Sequence, residues 1–353
     1  MARDEDETVR LPPGSAWRFA GPSPVRHAYP LGVRDPSLRV AIGLLLRSLP
    51  FAMVRFAVLL VTSILVIVWL AVALGGAAWL GEHIATAFGW VWAIGCLGCG
   101  AYFWGTIIRY ALHLIECGHV AVLTELMTKG VVGNGNESMF AYGKQIVRAR
   151  IGQETLLFGL NALVRGVVES LHRTMDWIAE MLPIPGLESI ASIVNIVLKG
   201  ATRYLDKVIF SYTLARGDED PWRSSREGLV YYAQNAPAVL KTALWSVVLE
   251  RLLTVAMAVF LLIPAALITL ALPHALREMG GVMTILVALL LAGPLRAAFI
   301  KPLFLIMMMV RFHSIIENQA IDAAWDDRLS SISDGFRNLG QQAAMARGVK
   351  FWR

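Results

Sequence analysis

Between Phe56 and Gly81 the chain carries no charged residue, and after Glu82 and His83 a second uncharged run extends from Ile84 to Ile108. A bilayer core takes about 20 apolar residues per helix, so each run is long enough to cross. A second pair follows near the C-terminus, Leu252–Leu272 and Gly280–Leu295. In hydrocarbon only helices and closed barrels satisfy every backbone polar group, and no segment shows sustained β alternation. The expected fold class is therefore all-α: a polytopic integral membrane protein. Four transmembrane helices form two hairpins, with amphipathic cytoplasmic helices between and after them.

The charge distribution sets the expected topology. Of 32 Lys and Arg, the two turns inside the hairpins hold one, Arg277; the rest lie before, between and after the hairpins. The positive-inside rule then puts both termini and the central segment in the cytoplasm of a multi-pass plasma (inner) membrane protein. The net charge of +6 reflects that topology and points to anionic lipid headgroups on the cytoplasmic side as partners, with no nucleic acid. The first 24 residues, acidic and proline-bearing, do not read as a signal peptide. Three cysteines, Cys96, Cys99 and Cys117, make no secreted disulfide framework.

The chain divides as follows: residues 1–36, a disordered cytoplasmic arm; 37–55, an interfacial helix bent at Pro50; 56–108, the first hairpin. Residues 109–245 form a cytoplasmic amphipathic helical region, 246–300 the second hairpin, and 301–353 an interfacial helix with a cytoplasmic tail. Within the central region Leu156, Leu160, Leu163, Val167 and Leu171 recur at helical spacing. After Pro183 and Pro185, Ile190, Val194, Val197, Ala201, Leu205 and Val208 do the same, giving a long αα-hairpin. The stretch at 133–137 reads as a loop. Each pair of spans is followed by a basic residue and an apolar helix with a His and a Glu: His113 and Glu116 in one, His313 and Glu317 in the other. Such a repeat is the pattern of parallel-repeat transporters.

Side chains with site chemistry are few. His113, Glu116 and Cys117 share a helix face, and Glu169 and His172 have the Glu-x-x-His spacing of helical-bundle metal sites. These four carboxylate and imidazole residues are weak candidates for a metal, and local helix contacts at the cytoplasmic rim explain them more simply; no metal or cofactor is assigned. Pro294, Arg296, Lys301 and Pro302 break the inner end of the fourth span. They are candidates for a gate or for contact with lipid headgroups. Gly95, Gly98, Gly100 and Gly105 on the second span are helix-packing candidates. With no nucleophile elbow, phosphate loop or zincin motif, an enzyme is the least supported class. The sequence favours a non-enzymatic scaffold or subunit of a membrane complex, presenting its cytoplasmic hairpin to partners or lipid, or a homo-oligomer. The alternative is an oligomeric transporter or channel for a small or amphiphilic solute.

Overall fold

A computed structural model describes residues 29–133, 138–151, 164, 167, 204–217, 220–271 and 273–350. The described residues are all-helical, and four helices are long and apolar enough to cross a membrane. The expected loop at 134–137 and most of the αα-hairpin of 152–203 lie outside them, as does most of the arm of 1–36. Two compact units emerge. The span unit comprises Pro36–Ala149 and Trp245–Met307; the second unit comprises Met1–Asp35, Arg150–Leu244 and Met308–Arg353.

In the span unit α1 (Leu38–Arg47) opens on Ser37, whose hydroxyl accepts from the Val40 amide. The helix breaks at Ser48, and α2 (Leu49–His83) starts anew with Pro50 in its first turn. The expected bend at Pro50 therefore falls two residues earlier, because proline is tolerated where the amide has no helical partner. A tight turn leads to α3 (Thr86–Phe103), a π-turn (Trp104–Ile108) and α4 (Arg109–Thr128), one unbroken helical run of 43 residues. Arg109 ends the uncharged sequence without ending the helix. α5 (Met139–Ile151) follows.

The second half repeats this order. Helix α6 (204–216) and α7 (Pro221–Gln234) precede a break at Asn235, after which α8 (Ala236–Ala271) begins with Pro237 in its first turn. Then come α9 (His274–Leu295), a second π-turn (Arg296–Ile300) and α10 (Lys301–Ile316). The long first helices have 35 and 36 residues. Their returns have 18, 5 and 20 residues against 22, 5 and 16, the same total. Each return ends two residues before a left-handed position, Gly130 (φ 77°) and Asn318 (φ 61°), residue types that tolerate it. The order and lengths of the elements are thus alike in the two halves.

Indole groups hold the first hairpin together. Trp69 on α2 donates from Nε1 to the Cys96 carbonyl at 3.0 Å, and Trp92 on α3 donates to the Val72 carbonyl at 3.4 Å. Each ring lies over a glycine of the facing helix, Gly100 under Trp69 and Gly76 under Trp92. Gly89 is closer still: a Cβ there would sit 2.5 Å from the Ala77 carbonyl. Among the four expected packing glycines, Gly100 meets Trp69, while Gly95, Gly98 and Gly105 have nothing within 4 Å of a built Cβ.

Helix α10 differs from an interfacial helix. Phe304, Leu305, Ile306, Met308, Met309, Val310 and Phe312 are all buried, and 67% of an apolar 18-residue window within Leu290–Ile316 is buried, against 6–11% for the corresponding windows of the other three. A helix apolar all round is a buried helix, and these residues of α10 are buried where the sequence predicts an interfacial helix opening residues 301–353. α11 (Ala323–Ile332) and α12 (Asp334–Lys350) close the chain's described part.

Gly89→Ala should lower the melting temperature of the detergent-solubilised protein, since overpacking costs about 1–3 kcal/mol. Gly95→Ala, with open space around it, should stay within about 0.5 kcal/mol; equal effects of the two would contradict the packing described.

Candidate functional site

Polar chemistry in the span unit gathers where helices break or bulge. At the α1–α2 break the Ser48 hydroxyl donates to the Leu45 carbonyl at 3.2 Å and meets His119 Nε2 of α4 at 2.9 Å. Both side chains are buried. The Phe51 ring lies parallel to the imidazole, centroids 5.7 Å apart, and sits against Gly118 of α4 and Gly143 of α5. Larger residues at 118 or 143 would strike that ring, so the glycines admit the wedge. One turn beyond, Arg55 pairs with Glu116 at 3.4 Å.

The metal candidates do not assemble. His113 Nε2 contacts Cys117 Sγ at 3.6 Å, while the Glu116 carboxylate is engaged by Arg55. Glu169 and His172 lie outside the described residues. Among the described residues no group of three or more His, Cys, Asp or Glu is placed to hold a metal ion.

The second bulge also carries a cross-helix ion pair. Arg296 Nη2 donates to Glu250 Oε1 at 2.9 Å, joining the bulge to α8. Glu250 is buried and Arg296 partly exposed. Arg296 Nε and the hydroxyl of buried Ser246, one turn from Glu250, find no hydrogen-bond partner among the described residues. Pro294 sits inside α9 just before the bulge, and Pro302 follows Lys301 at the start of α10. Proline removes an amide from the ladder, and the i→i+5 bond from the Lys301 amide to the Arg296 carbonyl absorbs the register change. Adjacent residues on a helix do not face one another, so Glu250 is paired from another helix and not by Arg251 beside it.

The second unit holds a cluster that sequence reasoning missed. His313 is fully buried; its Nδ1 meets the Tyr29 hydroxyl at 2.7 Å and its Nε2 the Ser211 hydroxyl at 3.0 Å. The order Ser–His–Tyr has the form of a nucleophile, base and orienter. With Ser211 and His313 both at 0% exposure, the hydroxyl meets the protein interior, and the chain of bonds ties α6 and α10 to the segment before α1. Arg34 adds a two-bond pair to Glu317. Glu227, also fully buried, accepts from Tyr212 at 3.4 Å and from Arg223 at 2.9 Å, with Arg216 at 3.6 Å.

The firmest lock in this unit is Arg226. From α7 it reaches both carboxylate oxygens of Asp326 on α11, at 3.0 and 3.1 Å. It also donates to the Phe336 carbonyl and the Ser330 hydroxyl, and stacks over the Phe336 ring at 4.0 Å. Burial lowers its pKa, and the Asp326 carboxylate acts in the opposite sense. One hundred residues separate these partners, which is why no local pattern announces them. Helix 204–216, expected as part of the second arm of the long αα-hairpin, is buried through most of its length, from Tyr204 to Thr213. It belongs to the interior of this unit.

Comparison with protein families, curated proteins and solved structures finds no match to this chain.

Removing one partner of a buried ion pair costs about 3–5 kcal/mol, whereas an apolar replacement of both is often neutral. Arg226→Met should therefore destabilise the second unit strongly, and Arg226→Met with Asp326→Leu should recover most of the loss in thermal unfolding. No recovery would mean the pair itself supplies the stability. Burial raises the phenols of Tyr29, Tyr212, Tyr231 and Tyr232, that of Tyr231 to about 12. A raised folded pKa gives stability that is complete below the unfolded value of about 10 and lost as pH rises past it. Tyrosinate absorbance should grow together with loss of helical circular dichroism between about pH 10 and 12. Ionisation of this cluster at lower pH, with the helices intact, would refute its burial.

Proposed function

We propose that the chain is a non-enzymatic scaffold or subunit of a membrane complex, anchored in the plasma (inner) membrane with both termini cytoplasmic. The four apolar helices are the anchor, and the second unit is the docking element. The observation that carries this reading is the Arg226–Asp326 lock, with every donor and acceptor of the pair in a fixed geometry. Fully satisfied buried networks specify one arrangement, and a preorganised surface loses little freedom on binding. The burial of helix 204–216 shifts the presented surface from the αα-hairpin as a whole to the unit that encloses its second arm. Support also comes from charge: the basic flanks of the spans favour the cytoplasmic side.

The test is mild crosslinking in native membranes, gentle purification, and mass spectrometry of what is retained. A stoichiometric protein partner that is lost in Arg226→Met, with membrane insertion unchanged, is the expected result. A homo-oligomer retaining only lipid would overturn it.

One observation favours a second reading, a transporter or channel for a small or amphiphilic solute working as an oligomer. The Glu250–Arg296 pair sits at a proline-flanked bulge, and charges at broken helices mark solute or ion pathways in membrane proteins. Under that reading Arg296→Gln alters carboxyfluorescein efflux from proteoliposomes while oligomer size stays the same. Unchanged efflux would remove it.

A further inference from the structure

Beside the first bulge the span unit has an apolar groove of about 430 Å³. Val66, Ile67 and Leu70 of α2 form one wall, Leu97 and Ala101 of α3 the other, and Leu290 of α9 contributes to its lining. The polar atoms that reach it are already served: the Ser63 hydroxyl donates to the Leu59 carbonyl at 2.9 Å, and Trp69 Nε1 to the Cys96 carbonyl. Gly100 keeps the groove open, because a Cβ there would lie 2.8 Å from Trp69 Nε1. Trp104, the first residue of the π-turn, also lines the groove. The Arg109 amide bonds to the Trp104 carbonyl, five residues back. That wide turn brings residues five apart onto neighbouring positions of the helix surface, so the exposed Arg109 follows directly on the Trp104 end of the groove. The next acid along the chain, Glu116, is paired with Arg55.

The second repeat shows what these positions do when they are polar. Glu250 stands as far beyond the Asn235 break as Ser63 beyond the Ser48 break, and Arg296 opens its bulge as Trp104 opens the first. There the two side chains join in an ion pair; here Ser63 and Trp104 leave apolar space.

We propose that this groove is a binding site for an anionic phospholipid, with one acyl chain between α2 and α3 and the headgroup phosphate on Arg109. Groove and cation are complementary to the two parts of that molecule. Its walls belong to the spans, so a chain enters from the bilayer itself. In hydrocarbon the fit of the chain gives shape selection rather than a hydrophobic driving force, and the charge supplies the headgroup preference. An aromatic ring at the junction suits the boundary between chain and headgroup. The inference rests on the span unit alone and stands whether or not the second unit docks a partner.

Native mass spectrometry of the full-length protein in mild detergent tests it, titrated with palmitoyl-oleoyl phosphatidylglycerol and, separately, with the matching phosphatidylcholine. The wild type should favour the anionic lipid by about fivefold, the effect of one cation near an anionic surface. Arg109→Gln, an exposed change, should bring the two lipids to parity, and Arg109→Lys should restore the preference. Ala101→Phe, which fills the groove, should lose binding of both. Inorganic phosphate at millimolar level should displace neither. Equal retention of both lipids by the wild type, an unchanged preference in Arg109→Gln, or displacement by phosphate alone would overturn the site. So would a dimer mass abolished by Ala101→Phe, since a second copy would then fill the groove.

Discussion

An amide in hydrocarbon has no water to turn to, so every interruption of a spanning helix must hand its hydrogen bonds to something else. Among the described residues, the breaks at Ser48 and Asn235 and the two bulges each have a recipient. The Ser48 break is covered by a serine hydroxyl, an imidazole and a proline. The Asn235 break is covered by the asparagine amide, which bonds to the Tyr231 carbonyl and to Gln319, again with a proline in the next turn. Both bulges keep their backbone bonded through i→i+5 contacts. Between α2 and α3 the polar links are indole groups, Trp69 to the Cys96 carbonyl and Trp92 to the Val72 carbonyl.

Sequence made the spans legible because charge and hydropathy report solvent directly. The run Phe56–Gly81 falls inside α2, and Ile84–Ile108 falls inside the α3–α4 helix except for Ile84 and Ala85. The turn lies at those two residues, just after the charged Glu82 and His83 at which the sequence places it. What charge does not report is where a helix ends. Arg109 and Arg296 stop the apolar pattern, yet the backbone runs on past both for about five more turns at 3.6 residues each, to Thr128 and Ile316. A guanidinium at a span end needs only a headgroup or a carboxylate, and Glu250 supplies the latter to Arg296. Nothing in hydropathy requires the helix to stop.

Burial partners separated by tens of residues were not legible for a different reason. A serine, a histidine and a tyrosine at 211, 313 and 29 have no shared local pattern; only the packing of three distant segments brings them together. The same holds for Arg226 and Asp326. Glycine misled in the opposite direction. Gly95, Gly98, Gly100 and Gly105 look alike in sequence, but only an aromatic ring overhead makes one of them necessary, and that ring belongs to another helix. Gly76, Gly89, Gly118 and Gly143, close against rings or backbone, carry no signal that separates them from the rest.

The two bulges show how a repeated backbone comes to carry different chemistry. A π-turn widens the helix and shifts one face relative to the next, so the residues that open and follow it are set apart from the apolar surface on either side. In the second half that displacement is met by a charge and its counter-charge, and the helices α8 and α9–α10 are tied across it. In the first half the same positions hold a hydroxyl satisfied on its own helix and an indole ring, and the displacement remains as open space facing lipid. A tie restricts motion between helices, while an open groove admits a flexible chain. Two halves alike in element order therefore differ here in two side chains each, an ion pair at one bulge and a hydroxyl with an indole beside a groove at the other.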